Sequence, residues 1–206
     1  MSVATEAVPA VEQTGEYAPV RLNHLAYVTH DTAATVRFWT EVMRMPLVEA
    51  VMHERVPSTG DPFPYVHFFF RMQDGSTIAF FEAVGLPPRP EPTHPAYLVF
   101  DHLALEVGTT AEVDEWRDHL VAHQVDVIGP IDHGIIYSVY FHDPNGIRLE
   151  ITTPLDKDWN NHAVMAEEDF KLWIETKERA KAEGSDVTKA LVKLALDRRA
   201  ERSAAH

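Results

Sequence analysis

Two stretches of this chain repeat one pattern, and the repeat restricts the fold more than any other feature of the sequence. The stretch NHLAYV at residues 23–28 recurs as DHLALEV at residues 101–107, which puts His24 and His102 at matching positions. Each stretch resembles a short β-strand, and a polar break followed by an amphipathic helix comes after each. The sequence therefore predicts two equivalent modules.

The rest of each module is predicted from periodicity and turn residues. Asp31 and Thr110 are the predicted N-caps of the two helices. In each module two strands meet at a turn dipeptide, Asp74-Gly75 in the first and Asn145-Gly146 in the second. The predicted helices are 32–43 and 111–123, and the predicted strands that follow them are 46–54, 65–72 and 76–83 in the first module and 125–129, 137–143 and 147–153 in the second.

The predicted fold class is α+β, with two tandem βαβββ modules and C-terminal helices. A proline-rich segment follows the first module. Because proline cannot donate a hydrogen bond within a sheet, this segment is predicted to be a connector. The charged residues from about Asp156 onward have helical periodicity, with a break at Gly184-Ser185. The predicted segments are a flexible N-terminal arm at 1–20, the first module at 21–86, the connector at 87–100, the second module at 101–155 and a helical extension at 156–206.

Composition limits the partners and the chemistry. The 206 residues carry a formal net charge of −14, so neither a nucleic acid nor an anionic membrane is an expected partner. No apolar run approaches the length of a membrane span, and the first twenty residues lack the features of a secretory signal, so a cytoplasmic location is expected. The chain has no cysteine and 12 histidines, so a metal ion would have to be bound by His, Asp or Glu.

The two repeated histidines suggest a metal site. Equivalent residues of two equivalent modules can converge when the modules pair, and a neighbouring carboxylate would complete the site. Glu150 lies between Leu149 and Ile151 in a strand that is otherwise apolar on one face, and a buried carboxylate needs a partner or a metal. His24, His102 and Glu150 would form a 2-His-1-carboxylate set, which suits non-haem Fe(II) and leaves coordination positions open.

Three stretches make the chain resemble the vicinal-oxygen-chelate superfamily, across roughly residues 22–155: LNHLAYVTHDTAATVRFWTEVMRMPLV, FDHLALEV and YFHDPNGIRLEI. This superfamily includes glyoxalase I, methylmalonyl-CoA epimerase, extradiol ring-cleaving dioxygenases and bleomycin-binding resistance proteins. The resemblance implies that the modules pair in a partly open, barrel-like sheet. It also implies a divalent metal, a small-molecule substrate and a homodimer.

The resemblance raises the question of a fourth metal ligand, because glyoxalases and epimerases generally use four protein ligands and extradiol dioxygenases three. When the two hairpins are aligned on Gly75 and Gly146, Ala79 takes the place of Glu150. Glu82 lies three residues beyond Ala79, so alternation along the strand directs it to the opposite face. A single bulge would reverse that alternation, so Glu82 stays a candidate fourth ligand.

Two further residues fit the extradiol pattern. A tyrosine ten residues before the metal-binding glutamate typically binds the catecholate in those enzymes, and Tyr140 has this spacing from Glu150. His133 is near the place of their acid–base histidine, although its spacing differs by about two residues. The resemblance therefore favours an Fe(II) dioxygenase that cleaves a catechol-type ring, with Tyr140 and His133 as catalytic residues.

Two alternatives remain open. A lyase or isomerase of the glyoxalase and epimerase type would use Glu82 as a fourth ligand and bind Mn(II), Ni(II), Zn(II) or Co(II). A ligand-sequestering resistance protein would usually lack the metal ligands, which the chain retains. The sequence also leaves open whether an aromatic set walls a substrate pocket or packs in the core; its members are Trp39, Phe68, Phe70 and Phe80.

Overall fold

A computed structural model of the chain describes residues 19–88, 90 and 92–204. Of these, the residues from Pro19 to Lys157 form one compact unit, and those from Asp158 onward form another. The α+β class, the two tandem βαβββ modules and the C-terminal helices are confirmed. Residues 1–18 of the predicted N-terminal arm lie outside the described residues.

The first module follows the predicted order of elements. Its helix changes pitch after Arg37, because the Met43 N–H bonds to the Phe38 carbonyl five residues back. Asp31 caps the helix as predicted, accepting a hydrogen bond from the Ala34 N–H. The elements are β1 (His24–Val28), α1 (Thr32–Arg37) with a π-helical turn (Phe38–Val42), β2 (Leu47–His53), β3 (Tyr65–Arg71) and β4 (Thr77–Ala83).

The second module repeats this order with two corrections. The N-cap of its helix is Thr109 and not Thr110, because Thr109 and Glu112 form a reciprocal capping box. The strand after the helix begins at Ile128, three residues later than predicted. The elements are α2 (Ala96–Phe100) in the connector, then β5 (Leu103–Glu106), α3 (Thr110–Ala122), β6 (Ile128–Asp132), β7 (Ile136–His142) and β8 (Arg148–Pro154).

Each module has one four-stranded open sheet, with the order β1-β4-β3-β2 in the first and β5-β8-β7-β6 in the second. The first and last strands of each module pair in parallel. Ala26 is opposite Ala79, and Ala104 is opposite Glu150, so Ala79 occupies the position that Glu150 has in the second sheet. The pairing of β3 with β4 runs without a bulge from Tyr65 to Arg71.

The two hairpin turns fix this register. Gly75 and Gly146 have left-handed backbone angles, with φ of 86° and 74°. Their N–H groups bond to the carbonyls of Met72 and Asp143, three residues earlier. Glycine adopts this conformation without strain, and so both turn dipeptides found in the sequence close the hairpins.

The core lies between the helices and one face of each sheet. Trp39 is fully buried, with its ring 5.9 Å from that of Phe70 and 5.6 Å from that of Phe80. Phe68 is 2% exposed in the same cluster. In the second module, Val113 and Leu120 of α3 belong to that cluster. The aromatic residues that the sequence assigned either to a pocket wall or to the core therefore belong to the core; they are Trp39, Phe68, Phe70 and Phe80.

A polar contact joins the modules between α1 and the β7–β8 turn. Asp143 is 5% exposed and accepts hydrogen bonds from the Asn145 side chain at 2.9 Å and from the Trp39 indole at 3.4 Å. Asn145 also donates to the Thr35 hydroxyl at 3.1 Å, and Thr35 bonds to Thr29 at 2.8 Å. The turn of one module is thus tied to the helix of the other.

The unit from Asp158 onward contains two helices, α4 (Ala163–Ala182) and α5 (Val187–Ala204), after a short 3-10 turn (Trp159–Asn161). The break falls at Gly184, as predicted, and Gly184 has a positive φ of 66°. An ion pair at 2.6 Å connects Arg198 of α5 to Asp169 of α4. Within residues 19–204 as described, helices of sufficient length and apolar character to cross a bilayer are absent.

Candidate functional site

The centre of the candidate site is an ion pair between His102 and Glu150. His102 immediately precedes β5, and Glu150 is in the middle of the neighbouring strand β8. His102 Nε2 and Glu150 Oε2 are 2.8 Å apart, and the Glu150 side chain is 1% exposed. A buried carboxylate requires a compensating charge or hydrogen bonds, and the imidazole supplies this contact.

The hydrogen bonds of His102 determine which ring nitrogen faces Glu150. The His102 Nδ1–H donates to the Phe100 carbonyl at 2.8 Å, so Nε2 is the ring atom that faces the Glu150 carboxylate. Two acceptors at this distance repel one another unless a proton or a metal ion lies between them. A histidine fixed through one ring nitrogen in this way is typical of metal ligands, and metal binding displaces such a proton.

Tyr140 and His133 extend this pair into a chain of hydrogen bonds. The Tyr140 hydroxyl donates to Glu150 Oε1 at 3.0 Å and lies 2.9 Å from His133 Nε2. Burial raises the pKa of the Tyr140 phenol, and the charge of Glu150 and the hydrogen bond to it raise the pKa further. The phenol therefore keeps its proton at neutral pH and acts as a donor. The exposed His133 connects the chain to solvent.

His24 occupies the equivalent place in the other module, with different neighbours. Its Nδ1–H donates to the Asn23 side chain at 2.7 Å, and its ring is 6.0 Å from that of His67 and 5.7 Å from that of Phe69. Among the described residues, no three His, Asp or Glu side chains come close enough together to hold a metal ion. The structure thus brings together His102, Glu150, Tyr140 and His133, and it leaves His24 in a separate cluster.

His67 is a candidate functional residue that the sequence reasoning missed. It is 9% exposed on β3, its ring stacks on Phe81 at 3.6 Å, and its Nδ1–H donates to the Phe80 carbonyl at 3.0 Å. The Nε2 lone pair is therefore available as an acceptor or base. A signal was present in the sequence: His67 is the one ionisable side chain between Tyr65 and Phe70, where a buried strand was predicted.

The environment of His67 predicts how stability depends on pH. Burial lowers the pKa of His67 below its ordinary value of 6.5, outweighing its backbone hydrogen bond, and the nearby His24 lowers it further. As pH falls below about 6.5, the unfolded chain takes up this proton before the folded one, so the folded state loses stability. Replacing His67→Gln should reduce that loss, measured by urea unfolding of metal-free protein at about pH 7.5 and about pH 5.5.

An exposed histidine provides the control for this pH dependence of stability. His142 is an exposed histidine on β7, and His142→Gln should leave the pH dependence as in the wild type. An equal loss of stability in wild type and His67→Gln between the two pH values would show that His67 is not held neutral by its surroundings.

Glu82 lies away from the other candidate ligands. Its Oε2 accepts hydrogen bonds from the Thr32 N–H, at 3.2 Å, and from the Thr32 hydroxyl, at the start of α1. Glu82 pairs with Val66 and alternates with Phe81, so it faces the helix side of the sheet. His24 shares the opposite face with Phe69 and Ala79. The carboxylate of Glu82 therefore stabilises the helix start, where the N–H groups favour negative charge.

An open cleft of about 340 Å³ lies beside His67 on the face that carries His24. Phe81 belongs to its wall and stacks on His67, so this ring lies between the cleft and the histidine. The walls are mainly apolar, which suits an apolar or aromatic group. The lining residues are Val56, Pro57, Ser58, Phe63, Tyr65, Phe81, Ala83 and Leu86.

Comparisons with known proteins agree with this architecture. A family model described as the Glyoxalase/Bleomycin resistance protein/Dioxygenase superfamily matches residues 21–151. No curated protein sequence matches the chain. A glyoxylase/bleomycin resistance protein/dioxygenase domain from Frankia sp. EAN1pec has a similar fold, with a TM-score of 0.54 and 16% identity over 66% of this chain and 99% of that chain.

Two other solved structures are similar at lower TM-scores. Lactoylglutathione lyase from Agrobacterium tumefaciens has a TM-score of 0.46 and 22% identity, over 66% of this chain and 94% of that chain. A variant of the fosfomycin resistance protein FosX from Listeria monocytogenes, complexed with Mn(II) and 1S,2S-dihydroxypropylphosphonic acid, has a TM-score of 0.46 and 18% identity. The match covers 65% of this chain and 91% of that chain.

Proposed function

The chain belongs to the glyoxalase/bleomycin resistance protein/dioxygenase superfamily, and from this premise we propose that it is a non-haem Fe(II) dioxygenase acting on a catechol-type substrate. His102 and Glu150 of one copy and His24 of a second copy would hold the metal. When bound, the ion would supply a Lewis acid for two adjacent substrate oxygens and a place for dioxygen.

The observation that carries the proposal is the hydrogen-bonded chain from His133 through Tyr140 to Glu150. The Tyr140 phenol keeps its proton and donates it in a hydrogen bond to Glu150. If Glu150 bound a metal instead, that proton would be released to form a hydrogen bond with a substrate oxygen. His133 contacts the phenol oxygen and solvent, so it can exchange a proton between them. The chemistry proposed here needs both groups next to the metal-binding pair.

His67 adds a second group for proton transfer. Its neutral ring has a free Nε2 and lies beside His24, so it can accept a proton from a substrate hydroxyl held there. The apolar cleft next to Phe81 would take the part of the substrate that carries no reacting oxygen. The two modules would thus contribute different parts of one site.

We infer that the active form is a dimer and that His24 of a second copy completes the site. The supporting observation is that His24 of one chain is not grouped with His102 and Glu150 among the described residues. Each copy would then give its histidine cluster to the partner's metal pair, so a symmetric dimer would have two equivalent sites.

Fe(II) loading and oxygen uptake test the proposed reaction. Protein purified without oxygen and loaded with Fe(II) should consume O₂ and form a ring-cleaved product with catechols. Glu82→Gln should keep its iron content, since Glu82 faces the helix side of the sheet and the amide still accepts hydrogen bonds from Thr32. A clear loss of metal in Glu82→Gln, with no oxygen uptake in the wild type, would favour the four-ligand isomerase.

A further inference from the structure

Arg148 lies on the same face of the second sheet as Glu150. It is two residues earlier on β8, which places the two Cα atoms about 7 Å apart. Its guanidinium carbon is 4.4 Å from the centre of the Tyr140 ring, a cation–π contact. Arg148 is half-buried, so the guanidinium is next to the candidate site but still in reach of a ligand.

The guanidinium of Arg148 has hydrogen-bonding capacity that the protein leaves unused. Its Nε is buried and has no hydrogen-bond partner, and its Nη1 makes one long bond of 3.5 Å to the Leu98 carbonyl. Ion pairs to Arg148 are absent among the described residues, whereas the half-buried Arg198 binds both Asp169 and Glu201. Because the buried Nε is out of reach of a ligand, an anion would bind the Nη groups, which have no acidic partner among the described residues.

We propose that Arg148 binds a carboxylate on the substrate, which makes the substrate class a carboxylated aromatic diol; this inference rests on the proposed function. A guanidinium matches the geometry of a carboxylate and forms charge-assisted hydrogen bonds with it.

The charge of the whole protein makes a local cation necessary for any anionic substrate. A chain with a net charge of −14 repels anions in general, so an anionic substrate needs a local cation beside the reacting centre. Two arginines lie on the sheet faces that carry the candidate ligands. Arg71 is exposed at the end of β3, whereas Arg148 contacts the site residue Tyr140. The carboxylate would therefore bind at Arg148 and direct the diol oxygens toward His102 and Glu150.

Binding to metal-free protein, measured by isothermal titration calorimetry, tests the inference without catalysis. The probes are 3,4-dihydroxybenzoate and its uncharged counterpart, 1,2-dihydroxybenzene. Wild type should bind the carboxylate about tenfold or more tightly than the uncharged diol, and Arg148→Met should remove that preference. Arg148→Lys should restore part of it, and Arg71→Met is the control that should keep it in full.

The outcomes separate this inference from the proposed function. If wild type binds both probes equally, or if Arg148→Met keeps the preference while near-ultraviolet circular dichroism shows it folded, the carboxylate site is refuted. Ring cleavage of both diols with equal kcat/KM by iron-loaded wild type would also overturn it and leave the dioxygenase standing. Tight binding of the carboxylate without ring cleavage supports the site and counts against the dioxygenase.

Discussion

Replacing Asp143→Ala is expected to lower the free energy of unfolding by about 2–4 kcal/mol. The carboxylate is 5% exposed and accepts hydrogen bonds from the Asn145 and Ile147 N–H groups, at 2.8 Å and 2.9 Å. It also accepts from the Asn145 side chain and from the Trp39 indole of the other module. Alanine would leave these buried donors without partners and loosen the contact between the modules.

Urea unfolding at neutral pH measures this effect, with Asp126→Ala as the matched control. Asp126 is exposed in the same module, so its replacement should change stability by less than about 0.5 kcal/mol. Asp143→Asn keeps an acceptor oxygen and should fall between the two. Equal stability of Asp143→Ala and Asp126→Ala would mean that the turn network does not hold the modules together.

Replacing Glu150→Gln is expected to lower metal affinity by more than about a hundredfold and to abolish turnover. The amide keeps the size of the side chain but removes the negative charge opposite His102, so a divalent ion loses both a ligand and its charge compensation. Elemental analysis after gel filtration, followed by oxygen uptake with a catechol, measures both effects.

The control for this variant is Glu106→Gln, an exposed carboxylate at the far end of β5, where it pairs with Thr152. Glu106→Gln should bind metal as the wild type does. Full metal content in Glu150→Gln would remove Glu150 from the ligand set and with it the proposed metal centre.

The same variant tests whether two copies share one site. Mixing Glu150→Gln with His24→Ala, after mild dissociation and reassembly, should restore part of the activity, since a mixed dimer contains one site with all three ligands intact. Activity that stays absent in mixtures of confirmed mixed dimers would show that His24 acts within its own chain.

Much of the fold could be predicted because local rules and tertiary structure agree in this chain. The turn glycines Gly75 and Gly146 determine hairpin register, and the register alone places Ala79 where the second module has Glu150. Asp31 caps its helix for the same local reason. Features that are set by residues close together in the chain could therefore be predicted from the sequence.

Features that depend on contacts distant in sequence were not predictable in this way. The π-helical turn at Phe38–Val42 ends in a backbone carbonyl that accepts from His119 of the other module, which no local pattern reveals. The role of Asp143 depends on Trp39, 104 residues away. The position of His24 relative to the second module depends on how whole sheets pack, and the repeat gave no information about that.

The unequal contents of two matching sheets have a practical consequence for redesign. Ala79 and Phe69 stand where the second sheet has Glu150 and Tyr140, so the first sheet presents shape at the positions where the second presents reactive groups. Substitutions at Ala79 can narrow the space for a new compound while Glu150, Tyr140 and His133 stay in place. Phe69 packs against His67 and His24, so its replacement would disturb them. Laboratory evolution of altered selectivity would therefore begin at Ala79.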